Sequence, residues 1–459
     1  MTEKPVWLGQ IIEVKIANYG HEGEGVGRYH DFTIFVPGAL AGETVQARIT
    51  EARKNFARAA IVQIIQAAPE RVTPECPFDA DCGGCQLQHL EYQSQLLMKR
   101  QRVCDAIERI GGLTGVTIHP VLGMDQPRHY RNKLQYPFGL ADGQVVVGCF
   151  RKGTHQIVPL VDCLIQHPIH NRILASLREL VIQSRIPIYD ESAGVGLLRH
   201  VLIKNGFASG EVMIVLVTND ERFPAGKTLA RQLAAKHPEV KSVVQNINRT
   251  RGNVILGREN RVLWGQDRII DELAGLRFTI SANSFFQVNP AQTVRLYQQA
   301  VEYAGLRGQE RVVDAYCGVG SLTLFLACQA REVYGIEVVP AAIEDAKVNA
   351  ALNELKNVEF LVGATETVLP KLVKEGLTFD VAVVDPPRAG CAAEVLHAFA
   401  EANVSRIVYV SCNPSTLARD LKLLAELGYR TEEIQPVDMF PQTYHVECVA
   451  RMSRVDKQG

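Results

Sequence analysis

Two loops in the C-terminal third of the chain carry side chains that could perform covalent and acid–base chemistry. Segment 385–388 (Asp-Pro-Pro-Arg) and segment 411–414 (Ser-Cys-Asn-Pro) each follow a short apolar run. Because proline fixes the backbone φ angle, we expect Asp385 and Cys412 to be held rigidly. A cysteine thiolate is a soft nucleophile, and a nearby positive charge such as Arg388 favours its formation. The alternative is that Cys412 is a small core residue at the end of a strand.

A possible proton acceptor lies near the C-terminus. Glu447 precedes an apolar stretch within segment 440–448 (Phe-Pro-Gln-Thr-Tyr-His-Val-Glu-Cys). A carboxylate within hydrogen-bond distance of a reacting group can remove a proton from it. A glutamate at the mouth of a strand can also be a solvated surface residue, and the pattern alone leaves both interpretations open.

The glycine-rich segment 314–321 (Asp-Ala-Tyr-Cys-Gly-Val-Gly-Ser) follows an apolar run and opens a predicted helix. Glycines such as Gly318 let the backbone approach a ligand, and Glu337, which ends the next strand, can accept hydrogen bonds from both hydroxyls of a ribose. A dinucleotide site would need glycine or alanine where this chain has Thr323, and the acidic Asp314 suits a cationic ligand. The pattern therefore favours S-adenosylmethionine (SAM) over a dinucleotide. A sheet domain that binds no cofactor is the alternative.

Four cysteines could hold a metal group: Cys76, Cys82, Cys85 and Cys163. Four thiolates without a nearby histidine suit an iron–sulfur cluster or a structural zinc ion, and the spacing leaves both open. Radical-SAM enzymes also combine a cluster with SAM, but their usual spacing differs from the five residues between Cys76 and Cys82. We expect a structural or RNA-related role for such a group, because ordinary methyl transfer needs no electrons.

Three successive regions must position these groups. Residues 1–67 alternate apolar and polar positions between glycine-rich turns, which predicts a small β-barrel of the oligonucleotide-binding type. A barrel with only a structural or protein-binding role fits that pattern equally well. Residues 68–306 mix strands and helices in a central α+β region. Residues 307–459 alternate strand and helix, which predicts a doubly wound, Rossmann-like domain, so the fold class is α/β.

Composition excludes several classes of protein. With 459 residues, 47% hydrophobic and 22% charged, the chain is expected to be globular rather than disordered. Its 49 basic and 50 acidic residues create no global basic field, so a nucleic acid must be held by local patches. Residues 99–152 carry nine basic and four acidic residues, a net charge of +5, which indicates a phosphate-binding patch or a solvated face.

The same sequence predicts the cellular setting. No apolar run is long enough to cross a membrane, and residues 1–5 lack an apolar signal core. We therefore expect a cytoplasmic protein with no membrane partner and no obligate protein partner, and a monomer is the default expectation.

Taken together, these motifs resemble the bacterial RNA uracil-5-methyltransferase family, especially its members that act on 23S ribosomal RNA. The resemblance covers essentially the whole chain and rests on the four cysteines, segments 314–321, 385–388 and 411–414, and segment 445–447 (His-Val-Glu). It implies an RNA-binding TRAM domain at the N-terminus, a SAM-dependent methyltransferase domain at the C-terminus, and a [4Fe-4S] cluster on the four cysteines. The implied partner is a structured RNA, with 23S ribosomal RNA as the expected substrate.

The resemblance also implies roles for individual residues. Cys412 is the nucleophile and Glu447 is the base. SAM contacts fall on Gln287, Tyr316, Gly318, Ser321, Glu337 and Asp385. Members of the family often have asparagine where this chain has serine at position 321, and a polar residue where this chain has Ala364.

Three functional classes remain open from the sequence. They are C5 methylation of uridine in ribosomal or transfer RNA, SAM-dependent methylation of an amino group or protein, and RNA binding by an iron–sulfur protein without catalysis. Amino-group methyltransferases typically follow Asp-Pro-Pro with an aromatic residue, and Arg388 in that place disfavours the second class. A target uridine must leave its base stack, so an RNA loop is the expected substrate. Phe286 is either a stacking surface for that base or a core residue.

Overall fold

The computed structural model describes residues 5–160 and 162–455. The expectation about a signal core concerned residues 1–5, of which residues 1–4 lie outside the described residues. The N-terminal region is a closed barrel in the order β1-β2-β3-β5-β4. Its strands are β1 (Ile11–Tyr19), β2 (Gly25–Tyr29), β3 (Phe32–Val36), β4 (Thr44–Ala52) and β5 (Phe56–Gln66). Buried and exposed residues alternate along β1, because successive side chains point to opposite faces of a strand. The predicted small β-barrel is confirmed and has five strands.

A central mixed sheet follows a loop that carries three of the cysteines. That loop leads into α1 (Tyr92–Arg109) and β6 (Thr117–Ile118). The sheet has the order β13-β12-β11-β10-β7-β8-β9. Its strands and two flanking helices are β7 (Lys133–Ala141), β8 (Gln144–Phe150), β9 (Ile157–Pro159), α2 (Pro168–Gln183), β10 (Leu198–Asn205), β11 (Val212–Thr218), α3 (Gly226–Lys236), β12 (Val240–Ile247) and β13 (Glu259–Gly265). Within this central sheet as described, β11 and β12 form the one parallel pair.

A hairpin and one helix connect this sheet to the C-terminal region. The hairpin is β14 (Arg268–Leu273) and β15 (Leu276–Ser281), and the helix is α4 (Pro290–Ala304). Asn289 caps α4, because its side chain accepts a hydrogen bond from the Gln292 N–H, and Pro290 suits the first helical turn. Gly305 ends the helix with a φ of 59°, a left-handed conformation that favours glycine.

The C-terminal region is an eight-stranded sheet in the order β18-β17-β16-β19-β20-β22-β21-β6. Its further elements are β16 (Arg311–Ala315), α5 (Ser321–Ala327), β17 (Glu332–Glu337), α6 (Pro340–Leu352), β18 (Val358–Val362), α7 (Thr365–Lys374), β19 (Val381–Val384), α8 (Ala393–Glu401), β20 (Arg406–Ser411), α9 (Pro414–Glu426), β21 (Tyr429–Val437) and β22 (Glu447–Arg454). The first five strands in the sheet order pair in parallel, as predicted.

The other edge of this sheet differs from the predicted all-parallel arrangement. β22 pairs antiparallel with both β20 and β21, and the short β6 pairs in parallel with β21. On the face of the sheet, Val103 and Ile107 of α1 are buried in one hydrophobic cluster with Leu417 and Leu421 of α9. Helix α1 thus packs on the C-terminal sheet and strand β6 is part of it, although both precede residue 307. The domain boundary after residue 306 stays a prediction. No helix of the described chain is long and apolar enough to span a bilayer.

A buried ion pair fixes α1 to the loop before β22. The Lys99 Nζ lies 2.5 Å from Asp438 Oδ1 and donates to the carbonyl of Phe440 at 3.1 Å, and both charged side chains are fully buried. The Tyr92 hydroxyl donates to the other oxygen of Asp438 at 2.8 Å. Because each buried charge has partners, removing one member leaves the other uncompensated.

We expect Lys99→Met to lower the free energy of unfolding by about 3–5 kcal/mol, because it leaves the Asp438 carboxylate buried without its cation. Urea unfolding followed by circular dichroism measures this loss. The matched control is Lys236→Met, which removes an exposed pair with Glu179 at 3.3 Å and should change the free energy by less than about 1 kcal/mol. Equal unfolding curves for the two variants would contradict the prediction.

Candidate active site

The register between β20 and β22 brings the candidate nucleophile and the candidate base together. β20 ends at Ser411, which is paired with Cys448 of the antiparallel β22. Cys412 follows that pair on one strand and Glu447 precedes it on the other. The candidate nucleophile Cys412 and the candidate base Glu447 therefore lie at the same edge of the sheet. Asp385 follows β19, the neighbouring parallel strand, and reaches the same edge.

Cys412 stands at the beginning of α9. The next residue, Asn413, caps the helix through a hydrogen bond from the Ser415 N–H to its side chain, and Pro414 starts the first turn. The positive end of the helix dipole favours a thiolate at this position. The thiol is half-buried and lines a cavity of about 120 Å³, so it is not enclosed in packed hydrocarbon.

Burial dominates the electrostatics of the candidate active site. It raises the pKa of Glu447 to about 8, with a further rise from Asp385 and a decrease from the positive charge of Arg388. Burial raises the pKa of Asp385 to about 6. The pKa of the Cys412 thiol rises to about 11, first through burial and then through Glu447 and Asp385, while Arg388 opposes the rise. Additional positive charge at this site would favour the thiolate and both carboxylates.

The glycine-rich segment forms the turn between β16 and α5. Gly318 has a φ of 56° and Gly320 a φ of 80°, left-handed conformations that favour glycine. Glu337 lies against this turn, because the Gly318 N–H donates to Glu337 Oε2 at 3.3 Å. The other carboxylate oxygen of Glu337 accepts from the Val339 N–H at 2.9 Å. Gly318 and Glu337, both candidates for the cofactor site, therefore lie side by side in the fold.

Asp314 lies beneath this turn and is fully shielded from solvent. The Thr323 hydroxyl donates to Asp314 Oδ2 at 2.6 Å. Burial raises the pKa of Asp314 to about 7, with the Thr323 hydrogen bond opposing the rise and Asp385 and Glu337 adding to it. Thr323, which disfavoured a dinucleotide in the sequence, thus orients a buried carboxyl group.

The remaining candidate SAM contacts have separate local environments. Ser321 begins α5 and its hydroxyl shares a hydrogen bond of 2.9 Å with the Tyr297 hydroxyl. Tyr316 has a φ of 64°, unusual for a residue with a side chain, and its ring packs beside Cys391. The carbonyl of Gln287 accepts from the Asn132 side chain at 2.9 Å, which fixes the backbone of this residue.

Phe286 is a core residue. Its side chain is 8% exposed and its ring centroid lies 5.9 Å from that of Phe278 inside the hydrophobic cluster. The interpretation of Phe286 as a stacking surface is therefore disfavoured by its burial. The neighbouring Phe285 is 66% exposed.

The four predicted cysteine ligands line one cavity of about 300 Å³. A fifth cysteine, Cys149 of β8, lines it as well and lies beside Cys82. Burial raises the pKa of Cys85 to about 12, and the neighbouring Cys163, Cys82 and Cys76 raise it further. Within residues 5–160 and 162–455, no group of three or more His, Cys, Asp or Glu side chains is arranged closely enough to hold a metal ion.

The basic residues between positions 99 and 152 do not form one surface. Lys99 is buried in its ion pair, Arg131 and Lys133 line the cysteine cavity, and Arg151 pairs with Asp81 at 2.6 Å. The net charge of this segment is therefore divided among several environments rather than presented as a single phosphate-binding patch.

Three residues near these sites belong to none of the sequence motifs: His21, Cys149 and Tyr297. His21 belongs to the barrel and lines the Cys412 cavity. Tyr297 is buried on α4, and its pKa is raised well above its ordinary value by burial and by the nearby Asp385, Asp314 and Glu447. His21 lies far along the chain from the residues whose cavity it lines, and no local pattern marks Tyr297. Only Cys149 could have been found, as a further cysteine to test against the other four.

Comparison with known proteins identifies similar sequences along the whole chain. The profile of the family described as tRNA (Uracil-5-)-methyltransferase matches residues 206–455, and that of the TRAM domain matches residues 5–62. A Bacillus cereus protein named as an uncharacterized RNA methyltransferase is 49% identical over 453 residues, which is 99% of this chain and 98% of that protein. A similarly named protein of Caldanaerobacter subterraneus is 48% identical and covers 98% of this chain and 99% of its own length.

A solved structure has a similar fold. It is the Pyrococcus abyssi tRNA (uracil-54, C5)-methyltransferase in complex with S-adenosyl-L-homocysteine. The two chains are 28% identical and superpose with a TM-score of 0.77, over 96% of this chain and all of the other. The similarity includes the barrel, the central sheet and the C-terminal sheet, because it extends over nearly the full length.

The raised pKa of Glu447 predicts a specific pH dependence of stability. Its pKa of about 8 exceeds the value of about 4.3 for an unperturbed glutamate. The folded protein therefore holds a proton that the unfolded chain releases. The stability from this proton is complete below about pH 4 and is lost as the pH rises through about 8.

Glu447→Gln cannot titrate, so its melting temperature relative to the unsubstituted protein should rise between pH 5 and about pH 8 and level off by pH 9. Differential scanning fluorimetry across this range measures the difference. Glu401→Gln, at an exposed position on α8, is the control and should give a constant difference. Parallel curves for Glu447→Gln and the unsubstituted protein would exclude a raised pKa for Glu447.

Proposed function

Because this chain belongs to the tRNA (uracil-5-)-methyltransferase family, we propose that it transfers the methyl group of SAM to C5 of a specific uridine in RNA. The observation that supports this chemistry best is the register that places Cys412 next to Glu447 at the edge of the sheet. Uracil methylation needs both a nucleophile and a base, whereas methylation of an amino group needs no cysteine.

The proposed reaction begins with Cys412. C5 of uracil is too weak a nucleophile to accept a methyl group directly. Addition of the Cys412 thiolate to C6 forms an S–C6 bond and moves an electron pair through the ring, so that C5 becomes nucleophilic. C5 then takes the methyl group, and its former donor leaves as S-adenosylhomocysteine.

Glu447 completes the reaction. After methyl transfer, C5 carries both a methyl group and a proton. The Glu447 carboxylate removes that proton, the electron pair re-forms the C5–C6 double bond, and the S–C6 bond breaks to release Cys412. A base is most effective when its pKa lies near the working pH, which is the case for a pKa of about 8.

The reaction needs positive charge near Cys412 to stabilise its thiolate, because the thiol pKa of about 11 leaves little thiolate at neutral pH. The N-terminus of α9 and the guanidinium of Arg388 supply part of it. The sulfonium of SAM, held near Asp385, would supply the rest. In this proposal Glu337 accepts the ribose hydroxyls, Gly318 lets the donor approach the turn, and Gln287, Tyr316 and Ser321 complete the contacts.

Two observations point to different RNA substrates. Sequence resemblance favours 23S ribosomal RNA, whereas the Pyrococcus abyssi relative acts on transfer RNA. Both substrates present uridines in loops, where removing a base from its stack requires the least free energy, about a few kcal/mol. We propose 23S ribosomal RNA as the substrate and transfer RNA as the alternative, and mapping methylated uridines in total RNA distinguishes them.

We further propose a [4Fe-4S] cluster on Cys76, Cys82, Cys85 and Cys163. The four thiols of the described chain do not converge closely enough for a single metal ion, but they line one cavity of about 300 Å³ that has room for a larger group. Burial and the neighbouring cysteines raise the pKa of Cys85, so a cationic cluster would relieve the cost of several thiolates. When bound, such a cluster would link the cysteine-bearing loop to the central sheet. The proposed methyl transfer does not use it.

RNA that contains 5-fluorouridine at the target position tests the nucleophile. Fluorine cannot leave C5 as a proton would, so the protein should remain covalently attached through Cys412. Gel electrophoresis under denaturing conditions should show one shifted band, which Cys412→Ala abolishes. This variant should also lose at least about a thousandfold in the rate of methylation of ordinary RNA.

Cys328→Ala removes an exposed cysteine at the C-terminal end of α5 and is the matched control. It should form the adduct normally. An adduct that persists in Cys412→Ala would exclude Cys412 as the nucleophile, and no adduct on a verified substrate RNA would count against uracil chemistry altogether.

Anaerobic purification tests the cluster. The protein should be brown and contain about four irons per chain. Cys163→Ser should lose this iron, because it removes one proposed ligand, whereas Cys149→Ser should keep it. Metal analysis and the visible spectrum measure both outcomes. A colourless protein that contains zinc, or equal loss of iron in the two variants, would contradict the proposed ligand set.

A further inference from the structure

The cavity at Cys412 is built from two parts of the chain that are far apart in sequence. One wall comes from the C-terminal sheet: Arg388, Cys412, Asn413, Pro414, Tyr444, His445 and Val446. The other comes from His21, in the turn that follows β1 of the barrel, and from Arg102 of α1. Anything that reaches Cys412 through this cavity therefore passes between the barrel and the methyltransferase sheet.

The size of the cavity limits what can enter it. Pockets for drug-sized ligands have volumes of about 300–1,000 Å³, and this cavity has about 120 Å³. It can therefore hold a single flat ring but not a complete nucleotide. If the ring is a uracil, its ribose and phosphate must remain at the mouth, where His21 and Arg388 are both exposed.

The mouth is held together by Arg102. Its guanidinium donates to the carbonyl of Tyr444 on one side and to the carbonyl of His21, at 2.9 Å, on the other. It also lies over the ring of Tyr444, with 5.3 Å between the guanidinium carbon and the ring centroid. A side chain at Gly23 would approach Tyr444 Cβ to 3.0 Å, so the barrel turn packs directly on the loop before β22. Arg102 thus positions His21 beside the cavity.

The charges around the mouth favour an anion. Arg102 directs these hydrogen bonds to backbone carbonyls rather than to carboxylates, and Arg388 adds a second guanidinium. Of the acidic groups of the barrel turn, Glu22 and Glu24 lie 4.0 Å and 3.8 Å from Arg58, and Glu24 also acts on Arg102. Burial, followed by Arg388, Arg102 and Lys99, lowers the pKa of His445 to about 4, so this imidazole is uncharged.

We propose that a backbone phosphate flanking the target uridine binds at this mouth between Arg388 and His21, so that the barrel helps to place the base over Cys412. This inference rests on the proposed function and extends it, because it names the part of the RNA that each wall contacts. The guanidinium donates to phosphate oxygens, and the imidazole of His21 donates one N–H. The barrel is then part of the active site as well as an RNA-binding module.

His21→Ala tests the contact without disturbing the core, because this side chain is exposed. A hydrogen bond to a phosphate is present both before and during the reaction, so its loss should raise KM and leave kcat unchanged. We expect KM to rise about tenfold or more. His30→Ala, at another exposed histidine of the same barrel, should leave both constants unchanged.

Modified RNA identifies the partner of His21. Two substrates carry a neutral methylphosphonate at the 5′ or the 3′ phosphate of the target uridine, and a third carries it at a remote position. At one of the flanking positions the modification should raise KM for the unsubstituted protein, and His21→Ala should then raise it by less than about twofold more. When the methylphosphonate is at the remote position, its fold-change in KM and that of His21→Ala should multiply, because the two sites do not interact.

The proposal would be overturned if the fold-changes in KM from His21→Ala and from the methylphosphonate multiplied at both flanking phosphates. His21 would then have another role, such as contact with a base. An unchanged KM for His21→Ala would overturn it as well. Failure of the proposed function has a different signature, because the unsubstituted protein would then form no adduct with 5-fluorouridine RNA and would not methylate any of the three substrates.

Discussion

The antiparallel pairing of β22 with β20 is the constraint on which the candidate active site depends. A strand presents alternate side chains on opposite faces, so a shift of one residue would move Glu447 to the other face of the sheet. The observed register pairs Ser411 with Cys448, and a shift would exchange side chains that are packed on opposite buried faces of these strands. A parallel strand at this position would bring its C-terminal end, not its first residue, to Cys412.

The same burial that fixes the register gives the site its chemical character. Removing carboxyl groups and a thiol from water disfavours their charged forms, and the pKa values of Glu447, Asp385 and Cys412 all rise. A site of this kind is poorly suited to hold several negative charges by itself. It is suited to a cationic donor, whose charge the carboxylates complement, and to an anionic substrate backbone, whose charge the guanidiniums and the helix N-terminus complement.

The region before the methyltransferase sheet contributes to it directly. Helix α1 carries Lys99, which pairs with Asp438, and Arg102, which connects the barrel turn to Tyr444. Strand β6 extends the same sheet at its edge. The loop between β21 and β22 is thus held from outside its own domain, and the barrel cannot move relative to that loop without breaking the contacts of Arg102.

Much of this protein could be predicted from its sequence, because the signals are local. Alternating polarity predicts the barrel strands, apolar runs predict the parallel strands, and the glycine-rich turn together with Glu337 predicts a pocket between neighbouring strands. Ser411, Asn413 and Pro414 around Cys412 indicate a loop rather than the interior of a strand. These features depend on backbone preferences and side-chain periodicity over short stretches of chain.

Other features depend on contacts between distant segments, and no local pattern encodes them. The antiparallel edge of the sheet, the addition of β6, the burial of Phe286 and the dispersal of the basic residues all follow from how complete elements pack. His21 and Cys149 join their cavities because separate strands and loops meet there. The sequence by itself determined which groups could react, whereas the tertiary structure decided which of them meet, because register and packing arise only when the whole chain is folded.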